Sequence, residues 1–493
     1  MTLLACRVMQ RSAAATLVAL LSGCVWERDA VDAALPPTPA AFRAEPSRAA
    51  PSVAGWQGQF GSSELTHLLD WSLSDNFDVA AARARILEAY ALARSTAAAL
   101  YPQLNGTQNA QRTLTSGTSK FAYPPYSSST STNYSFGLSA SYVLDFFGKN
   151  QALAEAAQFN AVASRYDRDV TVVATLASVA NTWFNLVAAQ DRLRVAAGNI
   201  KVAQDVLNAL NERVAVGTAT ALDTSQQENV LATQRASVPP LEQIVEQNRN
   251  LLAVLVGQTP GTLSIRGGTL NALKIPRPRA GLPSQLLLRR PDVVSAETRL
   301  RAQKASVDAA RAAFFPTVNL SASASLVSQA LSNILNPQAI AVSLAQGLTQ
   351  PIFDGGNLQG QLENNQAKET ELLEDYRKSI VTAFSDVENA LIGERLTAQH
   401  EALQKIAVRS ARRAYEITQA RLREGTIDVV TLLSTQTALF QAEDQLIQVR
   451  LQRFLAAVTL YQALGGGFSL DDSPLESVDG DPTAANILPA AVR

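Results

Sequence analysis

Cysteine is almost missing from this chain: Cys6 and Cys24 are the only two in 493 residues, and both lie near the start. A disulfide framework is therefore excluded for the body of the protein. Histidine is as scarce. His67 and His400 stand far apart, with no second ligand at metal spacing, so neither implies a metal centre and each suits a helix surface. An excess of charge of one sign is missing too, since 42 Lys and Arg face 43 Asp and Glu. That balance removes the electrostatic reason to expect nucleic acid as a partner. No phosphate-binding glycine loop occurs, and Gly355-Gly356 and Gly465-Gly466-Gly467 read as corners and helix ends. With no catalytic constellation, nucleotide loop or metal set, the chain reads as a non-enzyme that needs no cofactor.

What is present is helix of unusual length. From about Gln151 to Val214 no proline interrupts the chain, and the next breaker is Gly217. Val179, Leu186, Leu193, Ile200, Leu207 and Val214 recur every seventh residue, with Thr182, Ala189, Ala196, Ala203 and Leu210 three positions behind them. This is a heptad seam with one thin side, which lets neighbouring helices approach closely and coil. At a rise of 1.5 Å per residue, the stretch makes a rod of roughly 96 Å. Such a rod spans a distance.

The first 23 residues read as an export signal, with Arg7 and Arg11 ahead of a short apolar run from Ala13 to Leu21. That run is too short for a permanent membrane helix. It ends in Leu21-Ser22-Gly23-Cys24, which resembles the lipobox of bacterial lipoproteins. The resemblance implies cleavage before Cys24 and a covalent lipid on it. Val25 is not the aspartate that would favour inner-membrane retention, so the outer membrane is implied. Residues 24–60 then read as a tether, rich in alanine and proline up to about Gly55.

The remainder is read twice. In the first repeat, residues 61–283, helix from near Ser63 to Leu100 breaks at Asp75-Asn76. A β-hairpin follows over about 103–146, its second strand alternating strictly from Tyr134 to Leu144, with Lys120 to Thr132 as an exposed loop. Then come the long helix, a glycine, and a return helix over about 221–256 that Pro239-Pro240 should kink. In the second repeat, residues 284–467, a helix runs to Ala313 and a hairpin covers about 316–353. A second long helix spans about 358–424, and a return helix about 428–464. Phe353-Asp354-Gly355-Gly356-Asn357 answers Phe146-Phe147-Gly148-Lys149-Asn150, Gly425 answers Gly217, and Gly465 answers Gly257. Residues 468–493 are acidic and read as a disordered tail.

The lipobox, the doubled layout, Leu282-Pro283-Ser284 to Arg289-Arg290-Pro291-Asp292, and the tips Gly217-Thr218 and Gly425-Thr426 resemble the TolC-type outer-membrane factors. The resemblance is narrower to the lipoprotein channels of resistance-nodulation-division efflux systems. It covers nearly the whole mature chain and implies a mainly α fold with transmembrane β: a long α-helical coiled-coil barrel plus a β-barrel completed by a homotrimer, with four strands per protomer. The Val179-to-Val214 seam, read as a contact between chains, and the strand count point the same way to a trimer, because four strands cannot close a barrel and an open edge cannot face lipid. The resemblance further implies a periplasmic adaptor and an inner-membrane pump as partners, and a passive exit duct for small molecules as the function. A type I protein secretion channel is the nearest alternative. A trimeric surface adhesin is the alternative of another class, although it would keep its strands at one end of the chain.

Related channels often carry a Leu-Asp-x-Leu-Asp pattern just inside the second return helix, where the aspartates help constrict the periplasmic mouth. Here the matching residues run from Val430 to Ser434, and neither aspartate position is charged. Asp223 and Asp428 are the remaining acidic candidates, in cap positions. Val430, Leu432 and Leu433 are the candidates for a hydrophobic constriction. For the anchor, Cys24→Ser is expected to abolish palmitate incorporation and leave a slower-migrating precursor. Normal labelling of that variant would refute the lipobox.

Overall fold

The computed structural model describes residues 35–44, 55–116, 118, 128–276, 279 and 281–468. The signal, Cys24 and the tail beyond residue 468 lie outside them. Contacts divide the chain into two units, Met1–Pro37 and Thr38–Arg493. The first is described only in an irregular stretch at its end, and every helix and strand named below belongs to the second.

Helix α1 (Ser63–Asp75) is capped by the Ser62 hydroxyl, and α2 (Phe77–Ala97) by Asn76. Asn76 is the expected break. Its side-chain oxygen accepts from the N–H groups of Asp78 and Val79, and its Nδ2 donates to the Leu255 carbonyl at 2.8 Å. The long helix, α3, spans Lys149–Ala215, and its counterpart α8 spans Asn357–Arg423; each has 67 residues. The first return helix is two pieces, α4 (Ala221–Ala236) and α5 (Val238–Leu255). Pro239 and Pro240 occupy the first turn of α5, where a missing N–H costs nothing.

One expectation fails in the second repeat. The helix read from Ser284 to Ala313 is broken into a single turn, α6 (Pro283–Leu286), and α7 (Pro291–Ala312). Pro291 starts α7, and the Arg290 guanidinium clamps the junction, donating to Asp292 at 2.7 Å and to Asp386 at 2.9 Å. The last return helix, α9, covers Val429–Ala463 without a break.

Both return helices end on a glycine that no other residue can replace. Gly257 and Gly465 have φ of 72° and 92°. A Cβ there would stand 2.2 Å from the Asp75 carbonyl oxygen and 2.0 Å from that of Arg289, respectively. Each return helix thus closes against the break in the helix that opened its own repeat.

The sheet has four antiparallel strands in the order β1 (Gln103–Thr115), β2 (Ser129–Leu144), β3 (Thr317–Ser328), β4 (Ile340–Thr349). Strand β2 starts at Ser129, inside the stretch read as loop. Its serines and threonines pair with Arg112 to Thr115 and give no greasy alternation that would betray a strand. The two hairpins join through β2 and β3, from Tyr134↔Ser328 to Leu144↔Val318.

The heptad seam of α3 is filled within the protomer. Val179, Leu186 and Leu207 are buried, as are Thr182, Ala189, Ala196, Ala203 and Leu210. The helix packs on α2 and α7 above and on α4, α5 and α9 below. A seven-residue repeat says that helices coil and leaves open whose helices they are, so this seam does not by itself imply a trimer. Leu193, half-buried against the main core, is a residue of the protomer's own packing. One 18-residue window of α3 is apolar enough to cross a membrane, but 67% of it is buried in the fold. It is a core helix.

The main core is aromatic. Trp56 stacks on Tyr461 at 5.2 Å, Phe184 stacks on Phe454 at 4.8 Å, and Phe60 packs between them. Burial pushes the Tyr461 hydroxyl up to about 12. Below it, Glu401 of α8 is enclosed by cations, with Lys405 at 2.8 Å, Arg450 at 3.4 Å and Arg453 closest. Burial alone would raise the Glu401 carboxyl, yet the hydrogen bonds from Lys405 and Arg453 and the nearby charges hold it below the usual range. A depressed carboxylate contributes stability above its unfolded pKa and loses it as pH falls through the folded value. Glu401→Gln is therefore expected to flatten the acid limb of thermal stability below about pH 4.5. Glu401→Ala, which strands buried cations, should cost about 3 kcal/mol at neutral pH. An unaltered acid limb in the glutamine variant would contradict the first expectation, and an unaltered thermal midpoint at neutral pH in the alanine variant the second.

Candidate functional site

Two regions carry whatever this protein does: the sheet at one end of the long helices and the tips at the other. Register fixes the faces of the sheet. Leu104, Ala140, Ala322 and Leu344 lie in one row, and Gly106, Leu138, Ala324 and Val342 in the next. The opposite face carries Asn105, Ser139, Ser323 and Ser343, with Ser141 and Ser321 beside them. One face is therefore largely apolar, with Gln108, Arg112 and Gln346 among its polar exceptions, and the other is uncharged and mostly small and polar, with Val143 and Val327 among its residues.

From Tyr134 to Leu144 the strand is roughly 33 Å long, which a tilt of about 40° reduces to roughly 25 Å, the height of a lipid-facing band. An aromatic rim closes its lower end. Tyr101, Phe146 and Phe353 are exposed there, and Phe147 stacks on Phe315 at 4.8 Å. Such rings settle at a membrane interface. Among the described residues β1 and β4 pair on one side only.

The two tips are built alike. Gly217 and Gly425 take φ of 77° and 72°, letting the chain turn off each long helix. The N–H of Thr218 then donates to the Arg213 carbonyl at 2.8 Å, and that of Thr426 to the Arg421 carbonyl at 3.0 Å. Arg213 also donates to the Leu422 carbonyl at 2.7 Å, tying one tip to the other.

Asp223 and Asp428 both serve as helix caps. The Asp223 carboxylate accepts from the Thr220 N–H and hydroxyl, each at 2.8 Å, completing a capping box. Asp428 accepts from the Thr431 N–H at 2.7 Å. Hydrogen bonds from the Thr431 side chain and backbone hold its carboxyl below the usual range.

The apolar candidates separate. Leu432 and Leu433 are 1% and 8% exposed, enclosed with Val206, Leu210, Tyr415, Val429 and Leu439. Side chains sealed inside one protomer do not line an opening. Val430 is 54% exposed, and Val216 and Leu222 at the neighbouring tip are exposed as well. Sequence reading missed Val216 and Leu222. Their signal was an apolar residue on each side of a cap, out of phase with the seam. Just above the tips, Gln227 and Gln436 are fully buried. Gln227 donates to the Ala203 carbonyl at 2.7 Å, whereas neither amide atom of Gln436 finds a partner among the described residues. The packing there is imperfect, because a buried unpaired amide costs about 1–3 kcal/mol.

Residues 68–258 and 282–466 match the family described as outer membrane efflux protein. The chain is 37% identical to the pyoverdine export outer membrane protein OpmQ of Pseudomonas aeruginosa, across 87% of this chain and 91% of that protein. It is 29% identical to the cation efflux system protein CusC of Escherichia coli K12, across 84% and 89%. Among solved structures it resembles the outer-membrane channel OprN, with a TM-score of 0.81, 28% identity, and 88% and 98% of the two chains covered. A crystal structure of CusC gives a TM-score of 0.78 at 27% identity, with 88% and 99% covered. Two-faced sheet, doubled helical layout and these matches agree that the chain belongs to the outer membrane efflux protein family.

Proposed function

We propose that three copies of this chain form the passive exit duct of a tripartite efflux pump, joined through a periplasmic adaptor to an inner-membrane transporter and anchored by lipid at Cys24. The observation that carries the duct is the sheet, whose largely apolar face suits lipid and whose other face offers passing solutes uncharged and mostly small side chains. Closing it requires other copies. Strand β4 of one protomer would pair with β1 of the next, because an unpaired edge in hydrocarbon costs several kcal/mol per group.

The helices support the same closure. Leu396, Leu403 and Ile417 of α8 share one heptad position and are exposed, a seam still waiting for a neighbour. The described residues of this wall offer a solute mostly small uncharged side chains, and the named relatives export cargo as unlike as a pyoverdine and a cation. Choice of cargo therefore rests with the transporter, which also supplies the energy.

At the periplasmic mouth, Val430 is the gate candidate that stays free, while Asp223 and Asp428 are engaged in their caps. Light scattering in detergent should give three chains per particle, and a monodisperse folded monomer would refute the assembly. In planar bilayers, Asp223→Asn with Asp428→Asn should leave the reversal potential across a salt gradient unchanged and cost under about 1 kcal/mol, since Asn also caps. Val430→Asp should raise cation selectivity, with an effect that shrinks as salt is raised. If the double variant moves the reversal potential and Val430→Asp does not, the mouth is an acidic ring instead.

A further inference from the structure

Helix α8 changes charge along its length. From Glu363 to Glu394 acidic side chains outnumber basic ones by more than two to one, and from Arg395 to Arg423 basic ones outnumber acidic ones by more than three to one. The basic half is also sided. Arg395, Arg409 and Arg423 share one heptad position, and Lys405, Arg412 and Arg413 lie one turn from Arg409 on the same face; all six are exposed. Lys405 pairs with Glu401 and Arg412 with Glu443. Arg395, Arg409 and Arg413 have no ion pair among the described residues.

The same heptad position shows which way the stripe faces. One repeat above Arg395 it holds Glu388, whose two carboxylate oxygens accept the backbone N–H groups of Arg43 and Ala44. Phe42 is buried in the main core beside them. This crossing segment straps the helices from outside, because a conduit with chain laid across its bore would not conduct. The stripe therefore runs down the outer wall below the strap, from about 57 Å to about 99 Å beyond the start of α8.

We propose that this stripe is a docking surface for the anionic peptide stems of the cell wall, the polymer through which a periplasmic tube of this length must pass. The proposal rests on the duct reading, which supplies the outer face and the periplasm. Its chemistry favours a hydrated polyanion over a folded protein. In the heptad position of Arg395 and Arg409, the residues other than arginine below Glu388 are Ala402 and Glu416; Ile406, one turn before Arg409, is the one exposed large apolar side chain on this face among the described residues, and no aromatic anchor is available. A stable protein interface needs such an anchor at its centre. The other exposed apolar residues of this half, Leu396, Leu403 and Ile417, lie one position further round, on the seam left for a neighbouring copy. Arginine forks suit carboxylates spaced along a flexible chain.

The test is cosedimentation of the full-length protein in detergent with isolated cell-wall sacculi. Wild type should pellet with them at low salt and be released by raised salt or by amidation of the sacculus carboxylates. Arg395→Gln/Arg409→Gln/Arg413→Gln should weaken binding about tenfold, whereas Lys201→Gln/Lys368→Gln/Lys378→Gln, matched in charge, should not. Equal pelleting of the two triple variants would overturn the proposal, as would wild-type pelleting indifferent to salt and amidation. So would a first triple variant that still binds sacculi but no longer co-purifies with the adaptor, which would assign the stripe to a folded partner. Bilayer conductance of the wild type reads the duct separately, so failure of that reading is seen as lost conductance whatever the sacculi do.

Discussion

In hydrocarbon a backbone N–H or C=O has no water to turn to, and each one left unpaired costs several kcal/mol. That constraint governs the whole molecule. Among the described residues, four strands satisfy one another through β1 to β4 and leave a row of unpaired groups on each outer edge. The helical part obeys a different rule, since its backbone is paired within each helix and its side chains need only exclude water. The protomer is thus saturated along α3, where seam and core coincide, and unsaturated at the sheet and along one face of α8.

The internal repeat is a repeat of joints more than of surfaces. Gly148 and Gly356 start the long helices with positive φ, Gly217 and Gly425 end them, and Gly257 and Gly465 end the returns, all at one constant offset. Between these joints the copies diverge freely. The first return helix is broken at Ser237 and the second is continuous. One tip carries a full capping box and the other a single aspartate cap. Conserving backbone turns while side chains drift gives a ring of similar struts with unlike contacts.

Most of this is legible in the residues alone. Helices far longer than those of ordinary globular domains, breakers at matched positions and a strict two-residue alternation are local signals, and the elements they name all exist. What fails is non-local. Val179 to Val214 looks like a seam between chains, but periodicity carries no label for the partner, and the partners are α7, α2, α5 and α9 of the same protomer. Ser129 to Thr132 looks like loop because a strand can be polar on both faces where it rises out of a membrane. At the tip, Leu432 and Leu433 are indistinguishable from Val430 by residue type. Only packing against Tyr415 and Leu439 separates the two buried residues from the free one.

The open edges of the sheet also impose an order of events. The helical half encloses its aromatic core with side chains from one chain, so that core needs no second copy to exclude water. The strands cannot rest there, because an apolar face with two bare edges is a template for stray pairing. In the trimeric assembly proposed above, the protomer would carry a finished strut joined to an aggregation hazard until the other copies arrive. The serine-rich opposite face confines that hazard to one side of the sheet. The rate at which copies meet at the membrane, more than the folding of any one of them, would then limit how fast a channel appears.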